Sequence, residues 1–382
     1  MKVVHVVRQF LPSIGGLERA VLGLSRALQD QFAIQVGIVT LDRIFQNRQE
    51  KLAHSERVED LEVVRIPFIG SRRYPIAPTV LQHLQWADVI HVHAIDFFFD
   101  YLAATRLIHR KPMIATTHGG FFHTQFAARL KQTYFHSITR LSSKAYARIC
   151  ASSHSDADIF KRIAADRTVT VENGVDVERM ADVASPLPLP ALICFGRFSA
   201  NKRIPLLFPI LRALRMKSPG WRLIVAGAED DVTLEQLKKA ATFADIAETV
   251  EFVTSPTSEE LIKLVQRSTY FISASAHEGF GIAAVEAMGA GLIPILSAIP
   301  SFRRFISAAD SGVLIDPENA QSAANAILAF HNTLAPRFAN ERRRLMSAAH
   351  QYDWRNTAER YVEQYRFALE AAKRPSQVPD NA

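Results

Sequence analysis

The sequence predicts an α/β protein with parallel sheets, divided into two domains. Short runs rich in Val and Ile alternate with helical spacings of apolar residues, beginning with residues 3–7 and 17–28. One stretch, residues 273–297 (SASAHEGFGIAAVEAMGAGLIPILS), reads as strand, glycine turn, helix and strand, the repeating unit of parallel sheets. The length of 382 residues suits two domains of ordinary size.

Composition narrows the class. Hydrophobic content of 48% and charged content of 22% describe a globular protein. Cys150 and Cys194 form no CxxC pair, which argues against a disulfide framework or structural zinc and suits a reducing cytosol. The N-terminal Val3–Val7 run is interrupted by Arg8 and reads as a first strand, not a signal peptide. No apolar run reaches the ~20 residues of a membrane span. The net charge of +7 is unevenly placed. Residues 101–155 hold no Asp or Glu but include Arg106, Arg110, Lys111, Arg129, Lys131, Arg140, Lys144 and Arg148.

In the N-terminal half the first strand leads through Pro12-Ser13-Ile14-Gly15-Gly16 into a helix over residues 17–28. The turn is not GxGxxG, so a dinucleotide fingerprint is not supported. Further strands are expected at 34–41, 63–66, 87–93 and 112–117, the last ending in Thr117-His118-Gly119-Gly120. A histidine at the C-terminal end of such a strand faces the crevice where these sheets bind ligands; His91, His93 and His123 read as structural. Residues 121–149 mix Phe121, Phe122, Phe126, Tyr134, Phe135 and Tyr146 with basic side chains. The spacing Phe126, Leu130, Tyr134, Ile138, Leu141 predicts one apolar helix face. Two readings stay open: an amphipathic helix packed on the sheet, or a basic aromatic surface for an anionic membrane or a lipid diphosphate. No nucleic-acid motif is present. Phe97, Phe98 and Phe99 are expected to add apolar contact near the same crevice. Strands follow at 149–153 and 169–171, then Glu172-Asn173-Gly174-Val175-Asp176, and a proline-rich linker at residues 185–190.

In the C-terminal half a strand at 191–195 ends in Gly196-Arg197-Phe198-Ser199-Ala200-Asn201-Lys202. Strands at 221–227 and 250–254 and a helix at 261–267 precede the central unit. There Gly279 and Gly281 let backbone approach a ligand at the mouth of a helix, 282–288. Its free N–H groups and partial positive charge favour phosphate. Glu278 and Glu286 supply carboxylates for hydroxyl groups, which suggests a sugar or ribose beside the phosphate. A strand at 312–317 and helices at 320–330, 341–349 and 356–372 complete the chain; the tail from Arg374 is expected to be disordered.

Glu278 and Glu286, with seven residues between them in EGFGIAAVEAM, resemble the E-x7-E motif of family 4 retaining glycosyltransferases of the GT-B fold. The resemblance covers nearly the whole chain. It implies two Rossmann-like domains with parallel sheets facing a central cleft: an acceptor domain at 1–176 with a returning helix 356–372, a donor domain at 177–355, and a tail at 373–382. In the family Gly15 and Gly16 fall beside the donor diphosphate, His118 contacts the transferred sugar, and Ser153 matches a common Ser/Thr. Arg197 and Lys202 bind the diphosphate, although Arg203 stands where glycine is usual. Gly279, Phe280 and Gly281 approach the donor, Glu286 takes the ribose and Glu278 the sugar, with Glu278, His118, Lys202 and Arg197 as the catalytic set. Pro256 replaces the glycine of a loop that contacts the base. Arg303 or Arg304 is expected to meet a phosphate or the protein surface.

Within the family, VVRQFLPSIGG, SRRYPIAP and THGGFFHT are similar to bacterial α-mannosyltransferases of xanthan and acetan assembly. This implies transfer of mannose from GDP-mannose to a polyprenyl-diphosphate-linked cellobiose, without a metal, at the inner face of the cell membrane. A UDP-sugar donor, or a non-catalytic nucleotide-sugar or membrane-binding protein, are the alternatives.

Overall fold

The computed structural model describes residues 1–13, 15–45, 49–71, 74–119 and 132–373. The chain divides into two compact units. One is Met1–Gly174 with the C-terminal segment from Trp354; the other is Val175–Asp353. Each division thus falls two residues before the expected one.

Among the described residues, the first unit contains β1 (Lys2–Val6), α1 (Gly16–Phe32), β2 (Gln35–Leu41), β3 (Ser55–Val58), β4 (Leu61–Ile66), a small β5–β6 hairpin (Ile69–Ser71, Tyr74–Ile76) and β7 (Val89–His93). It continues with α2 (Phe97–Ala104), α3 (Arg106–His109), β8 (Met113–Thr116), α4 (Arg140–Ser143), β9 (Arg148–Ala151), α5 (His154–Ala164) and β10 (Thr168–Thr170). The main sheet has the order β10-β9-β8-β7-β1-β2-β4-β3. It is parallel except for the β3–β4 pair. Alternate strand residues feed two cores. Val4, Val6, Ile90, Val92 and Ala115 join Phe98, Phe99 and Phe160 on one face. Val3, Val89, Ile114 and Cys150 join α1 on the other.

The second unit contains β11 (Ala191–Phe195), α6 (Leu207–Lys217), β12 (Arg222–Gly227), α7 (Leu234–Phe243), β13 (Val250–Thr254), α8 (Ser258–Gln266), β14 (Tyr270–Ser273), α9 (Ile282–Gly289) and β15 (Ile293–Ser297). Then come α10 (Pro300–Ala309), β16 (Val313–Ile315), α11 (Ala320–Asn332) and α12 (Phe338–His350). Its parallel sheet runs β13-β12-β11-β14-β15-β16, the strand order of a dinucleotide-binding half-and-half fold. Strand order reverses between β11 and β14 here, and between β1 and β7 in the first unit. Such switch points are where open α/β sheets leave a crevice at the strand C-termini.

The last helix, α13 (Trp354–Lys373), belongs to the first unit and packs on α1 and on the sheet. Trp354 lies so close to α1 that a Cβ on Gly23 meets its ring at 2.2 Å.

Several expectations need correction. The 185–190 stretch is not a linker: Ser185 N–H donates to Ser268 O (3.1 Å), and Leu189 N–H to Thr269 Oγ1 (2.8 Å), which ties it to the second sheet. Phe98 and Phe99 are wholly buried in α2 and offer no apolar contact to a crevice. Ile138 and Leu141 do not lie on an inward face; they are 48% and 69% exposed, while Phe135 and Thr139 are buried. A π-helical turn over Phe135–Thr139 rotates the phase that an α-helical spacing predicts. Ile14, Gly120, Phe121, Phe122, His123, Phe126, Leu130 and the tail from Arg374 lie outside the described residues.

Gly23→Ala is the sharpest packing test. In a free helix the change stabilises by ~0.5–1 kcal/mol. Against Trp354 it should instead destabilise by ~1–3 kcal/mol, read as a lower urea midpoint.

Candidate functional site

In the second unit, neighbouring β11 and β14 deliver two loops to one place. Lys202 Nζ donates to Glu278 Oε1 at 3.1 Å, and Ser275 Oγ donates to the same oxygen at 2.8 Å. Both members of the ion pair are about one-fifth exposed, so the pair is shielded yet reachable. Oε2 of Glu278 has no partner among the described residues, which leaves it open to a hydroxyl. Asn201 Nδ2 donates to His277 O (2.5 Å) and Ser301 Oγ to Glu278 O (3.2 Å), fixing the loop from both sides.

Glycines make this approach possible. Gly196 has φ +128, and a Cβ there meets Lys202 Cε at 3.3 Å. Gly281, at φ +103, caps α9 without any side-chain cap. A Cβ on Gly279 meets nothing within 4 Å, so its open side is space, and the N–H groups of Gly279 and Phe280 have no partner among the described residues. Unpaired donors before a helix N-terminus form an anion site.

Other assigned residues stand apart in character. Arg197 is largely exposed and pairs with Asp230 (2.9 Å), so it must share or leave that carboxylate to reach a diphosphate. Glu286 accepts from Arg179 Nη2 at 2.8 Å; Arg179 carries no motif and was missed in the sequence. Arg203, in place of glycine, keeps a left-handed backbone (φ +46) while its side chain donates to Ala274 O (2.9 Å) and Glu318 (2.8 Å). Phe280 is buried against Phe305 and Tyr352, so only its backbone is available to a ligand. Pro256 precedes Thr257, which opens α8 with a capping box. Arg303 turns to Ala298 O (3.0 Å) at the surface.

In the first unit, Gly15 and Gly16 open α1, with no side-chain cap. A Cβ on Gly16 meets nothing within 4 Å. Ser153 is buried, and its Oγ caps α5 by accepting from Asp156 N–H at 3.2 Å. Asp156 in turn accepts from Thr117 Oγ1 (2.7 Å) and Ser152 Oγ (3.1 Å), bracing the loop before His118.

His118 follows β8 in a left-handed conformation (φ +52) and is half-buried. Its Nε2 lies 2.9 Å from His93 Nδ1, and His93 Nε2 lies 2.6 Å from His5 Nδ1. His5 and His91 are register partners on β1 and β7, and His93 sits two residues on, so all three share a face. His91 is held by Tyr365 OH (2.8 Å) and Thr116 Oγ1 (2.7 Å). One ring nitrogen from each of His5, His91 and His93 lies within 4.8 Å of the other two, a spacing that suits a metal, although hydrogen bonds already occupy most of the ring nitrogens. Burial, and then the neighbouring His118, push His5 down to about 3. Burial and Arg8 do the same to His118, also to about 3. Burial lowers His91 and His93 first; His5 and His118 add to it at His91, and His91, His5 and His118 at His93. All four rings are neutral at pH 7. Burial also raises both free thiols, Cys194 to about 11.

The family model described as "Glycosyl transferases group 1" matches residues 178–351, and that of "Glycosyltransferase Family 4" matches residues 14–179. The chain is 46% identical to a GDP-mannose:cellobiosyl-diphosphopolyprenol alpha-mannosyltransferase of Xanthomonas campestris, over 97% of each chain. It is 43% identical to a protein of the same name from Komagataeibacter xylinus, over 97% of this chain and 94% of that one. Among solved structures, a sucrose-phosphate synthase from Thermosynechococcus elongatus superposes with TM-score 0.74 at 16% identity, covering 97% and 99% of the two chains. A glycosyltransferase from Rickettsia africae gives 0.73 at 15% identity, covering 97% and 98%. At that identity the likeness speaks for the fold alone, which is GT-B.

The lowered histidines set a pH dependence. Below pH ~6.5 the unfolded chain protonates His5 while the folded chain does not until about pH 3. Folding stability should therefore fall as pH drops through this window, by up to ~1.4 kcal/mol per pH unit from His5. In urea melts between pH 7 and 5, His5→Gln should show a shallower loss by about one proton.

Proposed function

Because the chain belongs to family 4 of the glycosyltransferases, we propose that it transfers mannose from GDP-mannose to cellobiosyl-diphosphopolyprenol with retention, forming an α-1,3 bond. Identity of 46% over almost the full length of a relative so named carries the donor, the acceptor and the α-mannosyl transfer; retention and the 1,3 linkage rest on the family resemblance.

The site chemistry supports it. As the bond from sugar to diphosphate breaks, negative charge grows on the leaving group. Lys202, held by Glu278, and Arg197 are the cations assigned to it, together with the N–H groups of Gly279 and Phe280. Charge stabilisation of this kind needs no metal. Glu278 Oε2 receives a sugar hydroxyl, and its carboxylate supports the developing oxocarbenium ion. Glu286, oriented by Arg179, takes the ribose hydroxyls. On the first unit His118 positions the sugar, a role that rests on the family resemblance.

A lipid-linked acceptor calls for contact with a membrane. No helix among the described residues is long and apolar enough to cross one. Instead Leu107, Ile108 and Leu141 are largely exposed on α3 and α4, beside Arg106, Arg110, Arg140 and Lys144. Exposed apolar side chains among cations support peripheral docking of the first unit on an anionic surface.

Radiolabel transfer from GDP-mannose to lipid-linked cellobiose tests the reaction, with UDP-glucose in parallel and a chelator in one arm. Label should come from GDP-mannose alone and survive the chelator. Label from UDP-glucose only would overturn the mannose reading. Lys202→Ala should cut kcat by roughly 10²–10³-fold with the fold intact by circular dichroism; an active variant would remove Lys202 from the diphosphate. Arg140→Gln with Lys144→Gln should weaken binding to phosphatidylserine vesicles by roughly fivefold per charge, seen in co-sedimentation.

A further inference from the structure

We propose that His5 and His93 are positioning residues that hold His118 as its Nδ1–H tautomer, so that the ring offers a hydrogen-bond donor to the sugar. The proposal rests on the reading of His118 as the sugar-facing residue and adds what sets its polarity.

Neutral imidazoles carry one N–H each, and each hydrogen bond between two of them uses one proton. Two bonds link three rings: His5 Nδ1 to His93 Nε2, and His93 Nδ1 to His118 Nε2. The protons must all point the same way, which leaves two arrangements. The end of the chain decides between them. His5 Nε2 is buried and has no partner among the described residues. If the protons pointed from His118 toward His5, this atom would carry the last N–H, a buried donor with nothing to accept it. If they point from His5 toward His118, it is only an unused lone pair. Orphaned buried N–H groups are the rarer and costlier of the two. His5 therefore donates to His93, His93 donates to His118 Nε2, and the proton of His118 stays on Nδ1.

That nitrogen is the remaining polar atom of a half-buried ring and, unlike His5 Nε2, is not sealed from solvent. Adding a proton to reverse the polarity is opposed by burial of every ring and by Arg8 beside His118. His91 stays outside the chain of bonds. It packs on His93 with ring centroids 4.0 Å apart and is locked by Tyr365 and Thr116, so it holds the His93 ring in place. The tautomer of a histidine is set by the bond its other nitrogen makes, and here that bond is set two residues away, on another strand.

Long-range ¹H–¹⁵N correlation spectra of ¹⁵N-histidine-labelled protein at neutral pH read the tautomer directly, with no donor or acceptor present. His5, His93 and His118 should all show the Nδ1–H pattern. A proton on His118 Nε2 overturns the proposal, whatever the sugar donor proves to be. Kinetics supply the second arm. His93→Leu should lower kcat/KM by roughly ten- to hundredfold and release His118 into mixed tautomers. His93→Gln, whose amide keeps an N–H donor and a carbonyl acceptor, should restore most of the rate and the single tautomer. Equal loss in both variants, with the His118 spectrum unchanged, reduces His93 to packing and refutes the positioning role. If His93→Leu does not fold, the wild-type spectrum still decides.

Discussion

Two parallel strands that are distant in sequence but adjacent in the sheet set the geometry of the second unit. β11 and β14 pair directly at the switch point, so the loops after both emerge at the same sheet end. Lys202 and Glu278 are 76 positions apart, yet they meet because of that adjacency. The approach is tight: a Cβ on Gly227 falls 1.8 Å from the Gly196 carbonyl oxygen, so β12 and the β11 loop are in backbone contact. With bulkier residues here the loop moves away, and the lysine moves with it. A partly shielded ion pair of this kind contributes little to folding by itself. What it does is hold a cation and a carboxylate beside N–H groups that have no partner among the described residues.

The first unit uses its own switch point differently. β1 and β7 bring imidazoles, not loops, into the interior. A polar stripe on a sheet face is costly unless each group finds a partner. Here the partners are the rings themselves, Thr116, and the hydroxyls of Tyr361 and Tyr365, which the last helix lays over the face. The returning α13 thus completes the polar network as well as the apolar core.

The places where expectation failed share a cause. The 185–190 stretch was read by composition as a linker, and it is claimed by a local need, backbone hydrogen bonds to the second sheet. The 135–143 segment was read by α-helical period, and one π-turn was enough to turn Ile138 and Leu141 outward. Arg203 is the opposite case. It stands where glycine is usual and still adopts the left-handed backbone, because two acceptors hold its guanidinium.

By itself the sequence determined the class and most of the elements. Val- and Ile-rich runs between helical periods leave little but parallel α/β sheets. The paired glycines, Glu278 and Glu286 were legible as a motif because their spacing is local to one turn and the helix after it, and it is the family resemblance that implies a donor role for them and for Arg197 and Lys202. His-x-His on β7 was legible as two residues on one face, but not as a relay. Only tertiary structure decided which side chains are already engaged: Arg179 on Glu286, Asp230 on Arg197, His5 and His93 behind His118. These pairings join residues far apart in the chain. They follow from strand order and register, which hydrogen bonds between strands fix and no local spacing encodes.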